Sequence, residues 1–593
     1  MLLGPSAPLP RGRRLTETIV TINEALARVA GLDPLQLNDL YADAPEPSPP
    51  GFGGLRPTQS NLLYLLERLP QATFHDPGGK LIAARAHRLI AAAQDVEPGD
   101  YERSWPFKKA PWPFQMKIFA RARLMPYFAL APVVMGSGKT KMLLDVAADK
   151  FMRDEIDCVA VVASPKGVHR QWIETAIPAH LTAAVKYRAA VWKSTRKTPE
   201  NVALGEAGAR RLRFLAFNVE AFSGDGGKGT KALKAFLASG RCFLIQDESS
   251  RIKTPSADRT KALLKLAPLA AVRAIATGTP ITRGLEDLWA QYQFLDPNIV
   301  GMSNYWAFRA RYCVTVPAYR GAGLGVVKIV GYRNMEEFVR KIAPFTFVVP
   351  KSALGLPEKR REELPVELTP EQRRAYNALR DRLVDDLAAD RIASPANAAV
   401  RLVRLQQVLC GRVYEKPSDE DEPPVAVSIP SNRVKTLLQY LEANPGPTVI
   451  WARFRHDIVE IAEALAKAKR TVVTYYGDTS DDDREKAKLL FRTGKADYFI
   501  GNPSTAGMGV DGLQEVAETA IYYSSSFNRE HRWQSEDRID RIGKKSMTTA
   551  SLMIDMVVPH SVDRLILQSY TKTEDLVRSV MSRPELLPTL NEE

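Results

Sequence analysis

From about residue 101 onward the chain alternates short apolar runs with longer amphipathic segments. The runs are rich in β-branched residues: 128–134 (FALAPVV), 158–163 (CVAVVA), 242–245 (CFLI) and 274–276, then, after a gap, 448–451 (TVIW), 471–475, 498–500 and 519–523. Strands that are apolar at every position, rather than every second one, are buried on both faces, as in a parallel sheet covered by helices. The pattern occurs twice and predicts two α/β lobes, at 101–300 and 431–575. Between them, 301–430 reads as a mostly helical insertion, and 576–593 as a C-terminal tail. Residues 1–100 read as a mostly helical accessory region. Ile19, Ile22, Leu26 and Val29 share one helical face, 45–53 (PEPSPPGFG) is a turn-rich linker, and helical patterns recur around 62–69 and 81–93. The acidic run 419–422 beside Pro423 and Pro424 predicts an exposed loop.

Chemistry enters at the ends of these strands. The run 128–134 is followed by Met135-Gly136-Ser137-Gly138-Lys139-Thr140 and a helical pattern through Asp149. A strand, a glycine-rich turn and a helix start let backbone N–H groups and the helix N-terminus surround phosphate oxygens. In that setting Lys139 reaches the β and γ phosphates and Thr140 ligates Mg²⁺. The usual first glycine of such a loop is missing, with Val133 in its place, so the loop needs support elsewhere. It comes from 242–246, which lead into Asp247-Glu248. A buried strand ending in two acids suits one carboxylate for Mg²⁺ (Asp247) and one to polarise the attacking water (Glu248). An acid-enriched helix start is the plainer explanation, but the order after a phosphate loop favours the site. Arg538 and Arg541, three apart, are expected on one helical face, where two guanidinium groups can reach a γ-phosphate from the other lobe. The plain alternative pairs them with Glu536 or Asp537.

Several segments together resemble the Swi/Snf-type branch of superfamily 2 helicases. Residues 247–253 (DESSRIK) resemble motif II, and Thr277-Gly278-Thr279-Pro280-Ile281, continuing through Asp296-Pro297, resembles motif III. Phe114-Gln115 resembles the adenine-reading Q motif, and Ser164-Pro165-Lys166 with Gln171-Trp172 resembles motif Ia. In the second half 449–451, 504–509 and 534–543 resemble motifs IV, V and VI. The likeness covers roughly residues 105–570, in the family's order. It implies two tandem RecA-like P-loop lobes and ATP with Mg²⁺ as cofactors. Nucleotide would be held by Gln115, Gly136, Ser137, Gly138, Lys139, Thr140, Gly509 and Gln534. Nucleic acid would be contacted by Ser164, Lys166, Thr277, Thr279 and Thr505. It further implies a nucleic-acid-dependent ATPase that moves on DNA, with double-stranded DNA favoured as the track. An RNA helicase and a branch-migrating DNA helicase are alternatives, and a nucleotide-switched binding scaffold is one from another class. This chain departs from the family at Ser249-Ser250 (usually Ala-His), Val510-Asp511 (Leu/Ile-Asn), Arg529 (often Pro) and Lys544 (often Gln).

Bulk properties agree without deciding. A formal net charge of +14 and a pI near 9.4 suit a polyanion partner. No stretch approaches the roughly 18 uninterrupted apolar residues of a membrane span. The opening residues lack the basic start, apolar run and cleavage site of a secretory signal, so a cytoplasmic protein is expected; the long insertions typical of large eukaryotic remodellers of the resembling family are missing, so a bacterial or bacteriophage motor is expected. Cys158, Cys242, Cys313 and Cys410 form no CxxC pair, which argues against structural zinc and a disulfide scaffold.

Overall fold

The structure, a computed structural model, describes residues 97–570 except 134–135, 165–167, 195–209, 225–226, 283, 318–326, 350–351, 389–394, 416–424 and 507–509. The helices expected before residue 97, the acidic loop at 419–422, the tail after 575, Lys166 and Gly509 all lie outside the described residues. The chain divides into two compact units at Val349/Pro350.

The first unit is built on seven strands: β1 (Tyr127–Val133), β2 (Cys158–Ala163), β3 (Tyr187–Val191), β4 (Leu212–Asn218), β5 (Cys242–Asp247), β6 (Val272–Ala276) and β9 (Thr346–Val349). Their order is β3-β4-β2-β5-β6-β1-β9, and every pairing is parallel. β2 and β5 are buried at every position, as two-sided covering by crossover helices requires. The parallel register therefore puts the carboxyl ends of β1, β2, β5 and β6 along one edge. Between β6 and β9 stands an antiparallel hairpin, β7 (Cys313–Pro317) and β8 (Val327–Tyr332).

The second unit has a six-stranded sheet of β10 (Arg360–Pro365), β13 (Thr448–Trp451), β14 (Val472–Tyr475), β15 (Tyr498–Gly501), β16 (Thr519–Tyr522) and β17 (Leu552–Val557), ordered β10-β17-β16-β13-β15-β14 and again wholly parallel. A short antiparallel pair, β11 (Arg412–Glu415) and β12 (Val425–Ser428), lies outside it. Successive residues of β13 point into different cores: Val449 and Trp451 join Phe499 and Ala520 on one face, and Ile450 joins Ile500, Ile521 and Ile554 on the other. That is why the run TVIW shows no alternation.

Both sheets are thus parallel α/β as expected, but the stretch 301–430 is not simply helical. It holds β7 to β12 beside the helices Tyr305–Tyr312, Met335–Ile342, Pro370–Ala388 and Pro395–Leu409. Its strand β9 completes the first sheet next to β1, and β10 edges the second.

A buried ion cluster locks the second unit together. Glu536, at the end of the helix Arg529–Glu536, accepts from Lys359 Nζ (2.8 Å), Arg361 Nη1 (2.7 Å) and Arg532 Nε (2.6 Å). Burial opposes its charge, but these three cations prevail and hold its carboxyl well below the usual range. Deleting one member of such a cluster strands the others. Glu536→Ala is expected to cost about 3–5 kcal/mol, read as a lower midpoint in urea unfolding; a loss under about 1 kcal/mol would mean water replaces the carboxylate.

Candidate nucleotide site and its partner arginines

The glycine-rich turn is shaped by two left-handed residues, Gly136 and Gly138, each at φ 82°, a region that penalises any side chain. Gly138 is also the N-cap of the helix Lys139–Met152, so the helix N-terminus opens directly onto the turn. A Cβ at Gly138 would fall 2.5 Å from Gln115 Nε2. Gln115, buried on the helix Pro113–Ala122, is held in place by the Trp112 N–H donating to its Oε1 at 3.1 Å. Sequence order alone could not show that Gln115 packs on this turn. Val133 is the last residue of β1, paired with Val349 after a register break that follows Leu130. The break falls at Pro132, which has no N–H to give the ladder. With the strand running this far, a turn glycine at position 133 is not needed.

The acid pair closes β5 on the same edge. Asp247 Oδ2 accepts from the indole Nε1 of Trp172 at 2.7 Å, and its Oδ1 from the Glu248 N–H at 3.1 Å. Burial raises its pKa above the usual carboxylate value, opposed by the Trp172 hydrogen bond and the Lys139 charge. Trp172 begins a π-helical turn, Trp172–Ala176, within the helical stretch 168–180. Such wide turns often mark functional positions. Trp172 belongs to the stretch that resembles motif Ia; buried on Asp247, it orients that carboxylate.

Glu248 has φ 54°, a left-handed conformation that costs a non-glycine residue of order 1–3 kcal/mol and persists only when its surroundings enforce it. One such contact is Thr277, whose Oγ1 donates to Glu248 Oε2 at 3.1 Å and accepts from the Thr279 N–H at 3.1 Å. Thr277 and Thr279 were expected on nucleic acid; both are buried. Thr277 links the end of β6 to the end of β5. Ser164, at the end of β2, is likewise buried.

The unusual Ser249 is part of a second link. Its Oγ donates to Gln291 Oε1 at 2.7 Å, and Gln291 Nε2 donates to the Pro280 carbonyl at 2.7 Å. Lys253 bonds Thr282, whose N–H and hydroxyl both donate to Asp287 Oδ2, at 2.9 and 2.8 Å. Motifs II and III are therefore wired together through the helix Asp287–Leu295 in spite of the departure.

In the second unit the helix Arg529–Glu536 stops two residues before Arg538. Arg538 and Arg541 thus lie on the turns that follow, with buried Ile539 and Asp540 between them, and the shared helical face is corrected. They meet through a common acceptor: Asp511 Oδ1 takes Arg538 Nη1 at 2.9 Å and Arg541 Nη1 at 2.7 Å. Glu536 and Asp537, the partners of the plain alternative, pair with Lys359. Gln534 is buried and donates to Glu530 at 3.2 Å. Half-buried Thr505 stands beside Ser504, on the rim of a cavity of about 500 Å³ lined by Arg453, Asn502, Ser504, Ser526, Asn528 and His531 among others. Asn502 shapes the rim, its Oδ1 accepting from the Ser504 N–H at 2.9 Å and its Nδ2 donating to the Arg453 carbonyl at 2.6 Å.

A phosphate loop and an acid pair on the carboxyl edge of a parallel sheet, followed by a second parallel α/β unit, define a P-loop nucleotide hydrolase with two tandem lobes. Residues 135–411 match the SNF2-related domain and 432–543 the helicase conserved C-terminal domain. The chain belongs to the Swi/Snf-like branch of superfamily 2, a family of nucleic-acid-dependent ATPases. It is 23% identical over 355 residues to putative protein p41 of Acyrthosiphon pisum secondary endosymbiont phage 1, spanning 57% of this chain and 72% of that one. It is 23% identical over 346 residues to the ISWI chromatin-remodeling complex ATPase CHR11 of Arabidopsis thaliana, spanning 55% of this chain but only 31% of the plant protein. The solved Sulfolobus solfataricus SWI2/SNF2 ATPase core in complex with dsDNA aligns at 22% identity and a TM-score of 0.35, covering 83% of this chain and 96% of that one.

Proposed function

We propose that this protein is an ATP-driven motor that moves along double-stranded DNA in a bacterial or phage-infected cytoplasm. The observation that carries the reading is the joined array on one sheet edge: Lys139 at a helix N-terminus, Asp247 fixed by Trp172, and Glu248 fixed by Thr277. A nucleotide-switched scaffold has no use for a water-polarising glutamate held in a strained conformation.

In this reading the turn amides and Lys139 bind the triphosphate, and Gln115 orients the adenine. The hydroxyl of Thr140 and the carboxylate of Asp247 are hard oxygen donors of the kind Mg²⁺ prefers. Bound there, the ion would neutralise charge on the β and γ phosphates. Glu248 holds the attacking water and takes its proton. Arg538 and Arg541 meet charge on the γ-phosphate when the units close, so hydrolysis follows closure. Ser504 and Thr505, on a basic protein, are proposed to hold the phosphate backbone. Motion follows if affinity for the track differs between ATP and ADP states.

The test is steady-state ATPase with duplex DNA, single-stranded DNA or RNA. Duplex DNA is expected to stimulate most, and Lys139→Ala to abolish the stimulated rate. A fully active Lys139→Ala protein refutes the site, and RNA as the best activator refutes the track. DNA affinity should fall by orders of magnitude between about 50 and 200 mM salt.

A further inference from the structure

We propose that Trp306, with Arg309 and Arg333 beside it, is a second DNA-contacting site on the first unit, in which the indole wedges against a base step of the duplex while the two arginines hold phosphates. The inference rests on the motor reading above and deepens it, since it adds a hold on the track apart from Ser504 and Thr505.

Three observations carry it. First, Trp306 is 62% exposed although its helix, Tyr305–Tyr312, is firmly seated. Phe308 and Tyr312 are buried on Phe338, with ring centroids 5.7 and 5.3 Å away, and Asn304 Oδ1 caps the helix start by accepting from the Trp306 N–H at 2.8 Å. The strand that leaves this helix, β7, exposes Val314 and Val316, and β8 exposes Val330. One exposed apolar residue needs no explanation, but four on one helix and its hairpin mark a binding surface. Second, the charge beside the indole is positive. Arg309 lies over the Trp306 ring, 5.2 Å from its centroid, and Arg333 bonds the Ala310 carbonyl, one residue further on. Glu337 is already shared by Arg311, Lys341 and Tyr312, and among the described residues no carboxylate pairs with Arg309 or Arg333. An apolar protein surface would have to strip water from those charges. Nucleic acid instead offers flat apolar faces between phosphates, which suits an indole flanked by guanidinium groups. Third, the indole is seated on the catalytic framework. Its ring centroid is 5.7 Å from that of Tyr305, and Tyr305 is 5.5 Å from Trp289. Trp289 stands on the helix Asp287–Leu295, whose Gln291 holds Ser249, next to Glu248.

The use to a motor follows from the chemistry. An apolar wedge partly unstacks a base step, and the cost is offset by the contacts that the bent strand then makes. The grip does not read sequence, because every base has a stacking face, and a motor on an arbitrary track requires that. The row of rings gives the wedge a rigid seat on the helix that links motifs II and III.

The experiment measures binding of the full chain to a short fluorescein-labelled duplex by anisotropy, from about 50 to 200 mM salt, for the parent, Trp306→Ala, Trp306→Phe and Arg309→Ala. Trp306→Ala is expected to weaken binding about tenfold, and Trp306→Phe, which keeps a ring, to recover most of the loss. Half-maximal stimulation of ATP hydrolysis should shift to correspondingly more duplex. Arg309→Ala is expected to lower the slope of log affinity against log salt by about one, the mark of one lost phosphate contact. An affinity for Trp306→Ala within about twofold of the parent, in a variant with unchanged melting temperature, overturns the proposal. So does an unchanged salt slope for Arg309→Ala, a result that stands even where Trp306→Ala lowers the melting temperature. If the indole instead covers a second copy of this chain, the parent sediments as a dimer that Trp306→Ala splits with duplex affinity unaltered, which also overturns it. The motor reading fails separately, if duplex DNA does not stimulate hydrolysis by the parent; binding that depends on Trp306 would then stand without it.

Discussion

Arg541→Ala is expected to slow DNA-stimulated ATP hydrolysis about a thousandfold while leaving ATP affinity within a few-fold of the parent. Arginines that meet a transferring phosphoryl group act on charge that grows only in the transition state, so their loss appears in kcat rather than in binding. Arg538→Ala should behave alike, since both guanidinium groups reach a single acceptor and are presented as one unit. The double variant should lose little more than either single one, because residues that work together are not additive. Lys139→Ala is the contrast, losing nucleotide binding as well. The measurement is steady-state ATPase beside titration with a fluorescent ATP analogue. A drop of less than about tenfold for Arg541→Ala would remove the second unit from the chemistry.

Much of this was open to view in the sequence, and what was hidden had physical causes. β2, β5 and β13 stand out because a strand buried on both faces is apolar at every position. β3 was missed because it is an edge strand, half-buried, with Arg188 in a run of small residues. β17 hid behind Asp555, whose carboxylate is neutralised by Arg532 of the helix Arg529–Glu536. β9 is four residues long and means nothing until β1 is known to need a neighbour. The phosphate loop and the acid pair were legible because their chemistry requires particular residues next to each other. Trp172, Thr277 and Asp511 were legible as residues but not as contacts. Each acts across a gap that only folding closes: 75 residues from Trp172 to Asp247, 29 from Thr277 to Glu248, and 27 from Asp511 to Arg538. A motif marks where chemistry is, whereas the neighbours that orient it come from the sheet.

Glu248→Gln is the second large effect, a fall in kcat of about 10²–10⁴ with ATP and DNA still bound. The amide matches the carboxylate in size and can still accept from Thr277 Oγ1, so the left-handed turn at position 248 should survive. What is lost is the base alone. The variant is therefore expected to accumulate in the ATP-bound state and to hold DNA in whichever manner that state prefers, which a DNA titration with ATP against one with ADP would reveal. Thr277→Val tests the other half of the argument. It removes the hydroxyl that bridges the ends of β5 and β6 without removing the base, so its loss should be smaller than that of Glu248→Gln. If Glu248→Gln turns over ATP at more than about a tenth of the parent rate, water activation lies elsewhere. The strained backbone at Glu248 would then need another explanation.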